Sequence, residues 1–279
     1  MKKVTTSTLL SKKEKGEKVV FATCYDFPMT SFANEAGIDI ILVGDSGGMA
    51  MLGHKTTMPV SMEEMLMMIK AVMRANKSCF VVGDMPFLSY QISEYDAIKN
   101  AGLMIQEGCD AIKCEGGVRI ASKIKAMVDA GIVVMGHIGL TPQNMAQLGG
   151  YKVQGKTLES YKFLLEEALA VQKAGAFAIL LEAMPSAIAS KIRSKLKIPC
   201  YGIGAGADVD GQLVISHDIL GMFVGDVKPK FIKQYIKISE QIIGAYKQYA
   251  EEVRAVKFPS KEHCYDIEKS ELEKILKVS

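Results

Sequence analysis

The chain has 279 residues, 49% of them hydrophobic, and a formal net charge of +3. That length buries one large core or two smaller ones, and no stretch pairs clustered charge with interleaved aromatics, so no nucleic-acid partner is expected. No run of about 18 apolar residues occurs and residues 4–10 are too short and threonine-rich for a signal-peptide core, so a cytoplasmic protein with no membrane partner is expected. Six cysteines without a CxxC pair, mostly inside apolar runs, read as buried reduced thiols.

Residues 1–18 are polar and lysine-rich, and predict a helix or arm ahead of a first strand over 19–26. The second strand, over 38–43, is so dense in aliphatic residues that it reads as buried on both faces, and it stops at Asp45-Ser46-Gly47-Gly48. After Pro59, Ser61 and Glu64 form a capping box that opens a helix, with methionines at 62, 65, 67, 68 and 73 supplying its apolar face. A third strand over 79–83 ends on Asp84, a fourth over 111–115 ends on Glu115, a fifth over 132–137 ends on His137, and a sixth over 177–182 ends on Glu182. Strands seven and eight fall at 198–202 and 212–216, with helices at about 92–107, 118–130, 157–174, 186–195 and 229–254.

Gly37, Gly108, Gly131 and Gly175 each stand between a helix and the next strand, where a left-handed residue lets the chain turn back. Eight residues separate Gly37 from Asp45, seven Gly108 from Glu115, six Gly131 from His137 and seven Gly175 from Glu182. Similar strand lengths place these side chains at a similar height. Strands and helices alternate without a linker rich in Pro, Gly or Ser, which predicts an α/β fold: a single (β/α)8 TIM barrel over 1–279, with an N-terminal extension at 1–18 and a C-terminal tail at 255–279.

Barrel active sites lie where the strands end. Lys113 and Glu115 share a face, while Cys114 points towards the helices. Asp45, Asp84 and Glu115, from neighbouring strands, form a hard oxygen site suited to Mg²⁺, with Mn²⁺ as a substitute; single acids of this kind also cap loops or pair with lysines. Such an ion would polarise a chelating 2-keto acid. Lys113 either holds the substrate carboxylate or pairs with Glu115. Ser46 is placed to donate to substrate where glycines allow a close approach. Glu182, among apolar neighbours, is either a general base of raised basicity, across the barrel from the metal, or a buried acid satisfied by His137 or an amide. His137 either orients substrate and base or is a satisfied strand-end histidine. Gly202-Ile203-Gly204-Ala205-Gly206 looks like a phosphate-cradling loop, but tight turning and close packing are the better reading.

Val43-Gly44-Asp45-Ser46, Thr57-Met58-Pro59-Val60, Gly83-Asp84-Met85-Pro86-Phe87, Lys113-Cys114-Glu115-Gly116-Gly117, His137-Ile138-Gly139-Leu140-Thr141-Pro142-Gln143, Gly150-Tyr151-Lys152-Val153-Gln154-Gly155, Gly202-Ile203-Gly204-Ala205-Gly206 and Asp210-Gly211-Gln212, in this order, resemble the ketopantoate hydroxymethyltransferase (3-methyl-2-oxobutanoate hydroxymethyltransferase) family. Phe258-Pro259 with Glu262-His263 is similar to its C-terminal signature. The resemblance implies transfer of a one-carbon unit from 5,10-methylenetetrahydrofolate to 3-methyl-2-oxobutanoate, giving 2-dehydropantoate in pantothenate synthesis. It also implies metal positions at Asp45, Asp84 and Glu115, keto-acid contacts at Ser46, Asp84 and Lys113, Glu182 as proton acceptor, and a homo-oligomer, typically a decamer; Asp45 and His137 join the expected substrate-binding residues by their place at the strand ends. Leu88, where a small residue is expected, and Cys114, where an aliphatic one is, depart from the pattern. The rival enzyme class is a metal-dependent carbon–carbon lyase or phosphonomutase acting on a 2-keto acid, and a rival of another kind is a barrel that senses a keto acid without turnover.

Overall fold

The computed structural model describes residues 2–223 and 229–278. Eight parallel strands close on themselves in sequence order: β1 Val19–Thr23, β2 Ile40–Val43, β3 Phe80–Asp84, β4 Ala111–Glu115, β5 Val134–Gly139, β6 Ala178–Glu182, β7 Cys200–Ile203 and β8 Gly211–Val214. β8 pairs with β1, so no edge strand is left to recruit another chain. The helices in chain order are α1 Thr6–Lys15, α2 Phe27–Glu35, α3 Ser46–Ala50, α4 Met62–Ala75, α5 Glu94–Gln106, α6 Ala121–Asp129, α7 Met145–Leu148, α8 Leu158–Lys173, α9 Ser186–Arg193, α10 Ser216–Ile219, α11 Ile238–Arg254 and α12 Lys269–Ile275.

Alternation along each strand divides the apolar side chains into two cores. Phe21, Ile40, Leu42, Phe80, Val82, Met135, Leu180 and Tyr201 fill the barrel, while Ile41, Val43, Val81, Ile112, Ile179 and Leu181 pack outward against the helices. Cys114 belongs to the outer layer and is fully buried, as its register demands. The capping box opens α4 as expected, with Ser61 N–H donating to Glu64 Oε2 at 2.8 Å and Glu64 N–H to Ser61 Oγ at 3.1 Å. Of its methionines, Met65 and Met68 are buried, but Met67 is 57% exposed, because a run of adjacent positions wraps past the buried face. Gly37, Gly108, Gly131 and Gly175 all take positive φ, between 75° and 104°.

The N-terminal extension forms the floor of the barrel. Leu9 of α1 is fully buried and joins the interior core. Lys3, Lys12 and Lys13 reach Asp110, Asp39 and Asp210 at 2.6, 2.6 and 2.8 Å. Each of these aspartates directly precedes a strand, so three lysines tie the extension to the N-terminal rim.

The chain divides into two compact units, one of Met1–Ile219 with Phe223–Lys233 and one of Leu220–Met222 with Gln234–Ser279. The second therefore takes in α11 as well as the tail from 255. The helix expected over 229–254 starts only at Ile238, and the described residues before it, from Pro229, are turns and irregular chain. No residue of α11 or α12 is buried within the chain.

Candidate active site

Strand register brings the predicted polar residues together. Asp84 of β3 lies beside Lys113 of β4, Glu115 beside His137 of β5, and Gly139 beside Glu182 of β6. Asp45, Asp84, Lys113, Glu115 and His137 are all buried, at 4% exposure or less. Lys113 Nζ lies 2.6 Å from Asp84 Oδ1 and 3.4 Å from Glu115 Oε1. His137 faces two carboxylates: Nδ1 is 3.4 Å from Glu115 Oε1, and Nε2 is 3.1 Å from Glu182 Oε2. Glu182 sits opposite β2 in strand order, yet one imidazole ring joins it to the cluster. Its surroundings are also less apolar than its sequence neighbours suggested, since its side chain keeps 15% exposure and meets the ring.

The electrostatics are those of a site with more acid than base. Burial and the Asp84 and Glu115 charges hold the Asp45 carboxyl well above its ordinary pKa. Burial opposes the Lys113 charge, but Asp84, Glu115 and Asp45 more than offset it, so the ammonium is retained. Burial also opposes ionisation of Glu115; Lys113 and His137 prevail and hold it down to about 2. His137 is raised to about 9, because Glu115 and Glu182 outweigh burial and Lys113.

Ser46 opens α3, and its hydroxyl shares a 2.8 Å hydrogen bond with the buried Tyr25 hydroxyl. The two glycines that follow serve packing rather than access: a Cβ on Gly47 would stand 2.6 Å from Met68 Sδ, and one on Gly48 2.3 Å from Val60 Cγ2. Close packing also explains the glycine loop after β7, where a Cβ on Gly206 would lie 2.1 Å from Ser186 Oγ. Leu88, the position expected to be small, adopts φ 65° and is 51% exposed. Glycine, which has no Cβ, is the residue that would relieve a left-handed backbone there; a small side chain that keeps its Cβ would not.

Sequence reasoning assigned no role to Gln143 and Tyr90. Gln143, in a 3₁₀ turn over Pro142–Asn144, donates from Nε2 to Asp45 Oδ2 at 3.0 Å and from its backbone N–H to Glu115 Oε2 at 3.0 Å. Tyr90 OH donates to Gln143 Oε1 at 2.9 Å and accepts from Glu115 N–H at 2.9 Å. The only signal was Gln143's place in a quoted motif; irregular loops carry no period from which such a contact can be read.

A hard cation fits this chemistry: the donors are all carboxylate oxygens, they outnumber the one ammonium, and Asp84 Oδ1 meets Lys113 without hydrogen-bond geometry. Among the described residues, no three His, Cys, Asp or Glu side chains stand grouped around one point as ion ligands. Asp45 and Asp84 adjoin directly, Asp45 N–H donating to Asp84 Oδ2 at 3.2 Å, while Glu115 is turned towards Lys113, His137 and Gln143.

The family model described as ketopantoate hydroxymethyltransferase matches residues 3–261. The chain is 50% identical over 276 residues to the 3-methyl-2-oxobutanoate hydroxymethyltransferase of Carboxydothermus hydrogenoformans, covering 99% of this chain and 100% of that protein. It is 48% identical to that of Syntrophomonas wolfei, with the same coverage. In structure it is similar to phosphonopyruvate hydrolase, with a TM-score of 0.63 and 14% identity over 97% of this chain and 94% of that one. It is likewise similar to 2,3-dimethylmalate lyase, with a TM-score of 0.60 and 14% identity over 98% and 94%. At that identity the likeness concerns the barrel alone.

Proposed function

The chain belongs to the ketopantoate hydroxymethyltransferase family, and from that premise we propose how its strand ends carry the reaction. Its activity is 3-methyl-2-oxobutanoate hydroxymethyltransferase, the ketopantoate-forming step of pantothenate biosynthesis, and family membership implies 5,10-methylenetetrahydrofolate as co-substrate. Half-identity along the whole chain separates this reading from the lyases and mutases that share only the barrel.

In the proposed mechanism Glu182 takes the proton from C3 of the keto acid. The electron pair left on C3 forms the new carbon–carbon bond to the folate methylene carbon, both carbon–nitrogen bonds of that methylene break, water supplies the hydroxyl oxygen, and the two folate nitrogens take up the proton from C3 and the proton that the water gives up. His137 borders the Glu182 carboxylate, its Nε2 lying 3.1 Å from Oε2. Lys113 supplies a fixed positive charge for the substrate carboxylate or the oxygen that gains charge. Ser46 donates to the keto acid, its hydroxyl oriented by Tyr25. Asp45, Asp84 and Glu115 would hold Mg²⁺, or Mn²⁺ in its place, with Asp45 and Asp84 also bordering the substrate. The ion when bound supplies Lewis-acid polarisation of the keto group.

The observation that carries this reading is the unbroken series of contacts from Asp45 and Asp84 through Lys113, Glu115 and His137 to Glu182. Its test is turnover of keto acid and methylenetetrahydrofolate with Mg²⁺, repeated with EDTA, together with exchange of the C3 proton into D₂O. EDTA abolishes turnover, and Glu182→Gln retains keto-acid binding while slowing exchange by about 10²-fold or more. Undiminished exchange in Glu182→Gln removes Glu182 as the base, and turnover that survives EDTA removes the metal.

A homo-oligomer, a decamer by family resemblance, is supported by α11, whose Ile242, Tyr246, Tyr249 and Val253 recur at helical spacing and are 40–71% exposed; light scattering of the purified protein tests it. No helix among the described residues is long and apolar enough to cross a membrane. A cytoplasmic location agrees with five buried free thiols.

A further inference from the structure

We infer that Gln143 is a positioning residue that withholds one oxygen of Asp45 and one of Glu115 from the bound cation, and so keeps coordination positions open for the keto acid. The inference rests on the metal reading above and concerns what limits it. Gln143 is 3% exposed and every hydrogen-bonding position of its amide is used. Its Oε1 accepts from Tyr90 OH at 2.9 Å and Gln91 Nε2 at 3.3 Å, and its Nε2 donates to Asp45 Oδ2 at 3.0 Å and to the Met85 carbonyl at 2.9 Å. The amide has one workable orientation. Turned over, it would set its oxygen against Asp45 Oδ2 and the Met85 carbonyl, two acceptors facing a third in a buried place where neither can turn to water.

Tyr90, fully buried, holds this orientation and ties it to β4, because the same hydroxyl that donates to Gln143 accepts from Glu115 N–H. Gln143 thus touches two of the three carboxylates, through its amide at Asp45 and through its own backbone N–H at Glu115 Oε2. A small hard cation takes about six oxygens. A carboxylate that binds with both oxygens takes two of those positions; with Asp45 Oδ2 and Glu115 Oε2 engaged by Gln143, each of these two carboxylates has one oxygen left to offer. A chelating 2-keto acid needs two of the remaining positions.

The test separates metal affinity from substrate affinity. Mn²⁺ binding to substrate-free protein is followed by electron paramagnetic resonance, and binding of 3-methyl-2-oxobutanoate to the Mn²⁺-loaded protein by calorimetry. In Gln143→Ala the Mn²⁺ dissociation constant stays within about threefold of the parent or tightens, while keto-acid affinity falls by about tenfold or more, the scale of a lost hydrogen bond to a charged group. Tyr90→Phe keeps the ring, removes the donor to Gln143, and shifts keto-acid affinity in the same direction by about threefold; it serves as the test if Gln143→Ala does not fold. A parallel fall in both affinities marks Gln143 as ordinary structural support and overturns the inference, as does unchanged keto-acid affinity in a folded variant. A parent protein that binds no Mn²⁺ defeats the metal reading itself, and is recognised before any variant is made.

Discussion

Asp210→Asn tests whether the floor of the barrel is held by one carboxylate. Asp210 directly precedes β8, its carboxylate is 2% exposed, and it is fully engaged. Oδ2 accepts from Lys13 Nζ and Cys200 N–H, each at 2.8 Å, and Oδ1 from Arg193 Nε at 2.8 Å and Nη2 at 2.6 Å. The amide keeps the shape, removes the charge and turns an NH₂ towards at least one of these donors. A buried N–H left without its acceptor costs about 1–3 kcal/mol. Arg193, at 36% exposure, adds about 0–1 kcal/mol because water screens and replaces the contact. Lys13, at 14% exposure, loses a better-shielded partner, so the total is about 3 kcal/mol, or roughly 6 °C in melting temperature for a chain of this size. Urea unfolding at a series of pH values measures it. Burial raises the Asp210 pKa, but the hydrogen bonds from Lys13, Arg193 and Cys200 N–H prevail and hold it below its ordinary value. The unfolded chain therefore binds the proton first as pH falls, at about 3.9. The parent's advantage over Asp210→Asn is constant from pH 7 to about 5, and shrinks below about 4 as pH falls through the folded-state value. An advantage under about 1 kcal/mol at pH 7, or one that grows on acidification, refutes the reasoning.

Lys113→Met leaves Asp84 and Glu115 buried without their ammonium and costs about 3–5 kcal/mol at neutral pH, with Mg²⁺ recovering part of the lost melting temperature; a melt that ignores Mg²⁺ argues against a cation at these carboxylates. Gly139→Ala places a Cβ 2.3 Å from the Glu182 carbonyl oxygen at φ 98°, forcing β5 from β6, so kcat falls about 10²-fold as the base is displaced. Full activity in Gly139→Ala would show that Glu182 tolerates the shift. Glu182→Gln, by contrast, keeps its backbone and its keto-acid binding but loses C3 proton exchange and turnover together, and NMR in D₂O follows the exchange directly.

The barrel and the height of its site were legible in the chain because both are periodic. Aliphatic runs of strand length, a glycine at each of four helix exits and a near-constant count from glycine to polar residue all repeat, and repetition is what pattern reading detects. The same two-residue alternation sent Lys113 and Glu115 inward and Cys114 outward, which the two cores bear out. The chain also carried its family in short polar motifs spread over nearly its whole length.

Tertiary structure decided what each polar residue touches. Gln143 meets Asp45, 98 positions away, and Tyr90 meets Gln143 across 53, through loops whose conformation has no period. His137 stands between Glu115 and Glu182 only because β4, β5 and β6 pair in one particular register. Three lysines of the extension find three aspartates only once strands distant in sequence end at one rim. Local propensity sets where a strand stops and which way its last side chain points; the partner of that side chain arrives from elsewhere in the chain, and closure of the barrel selects it.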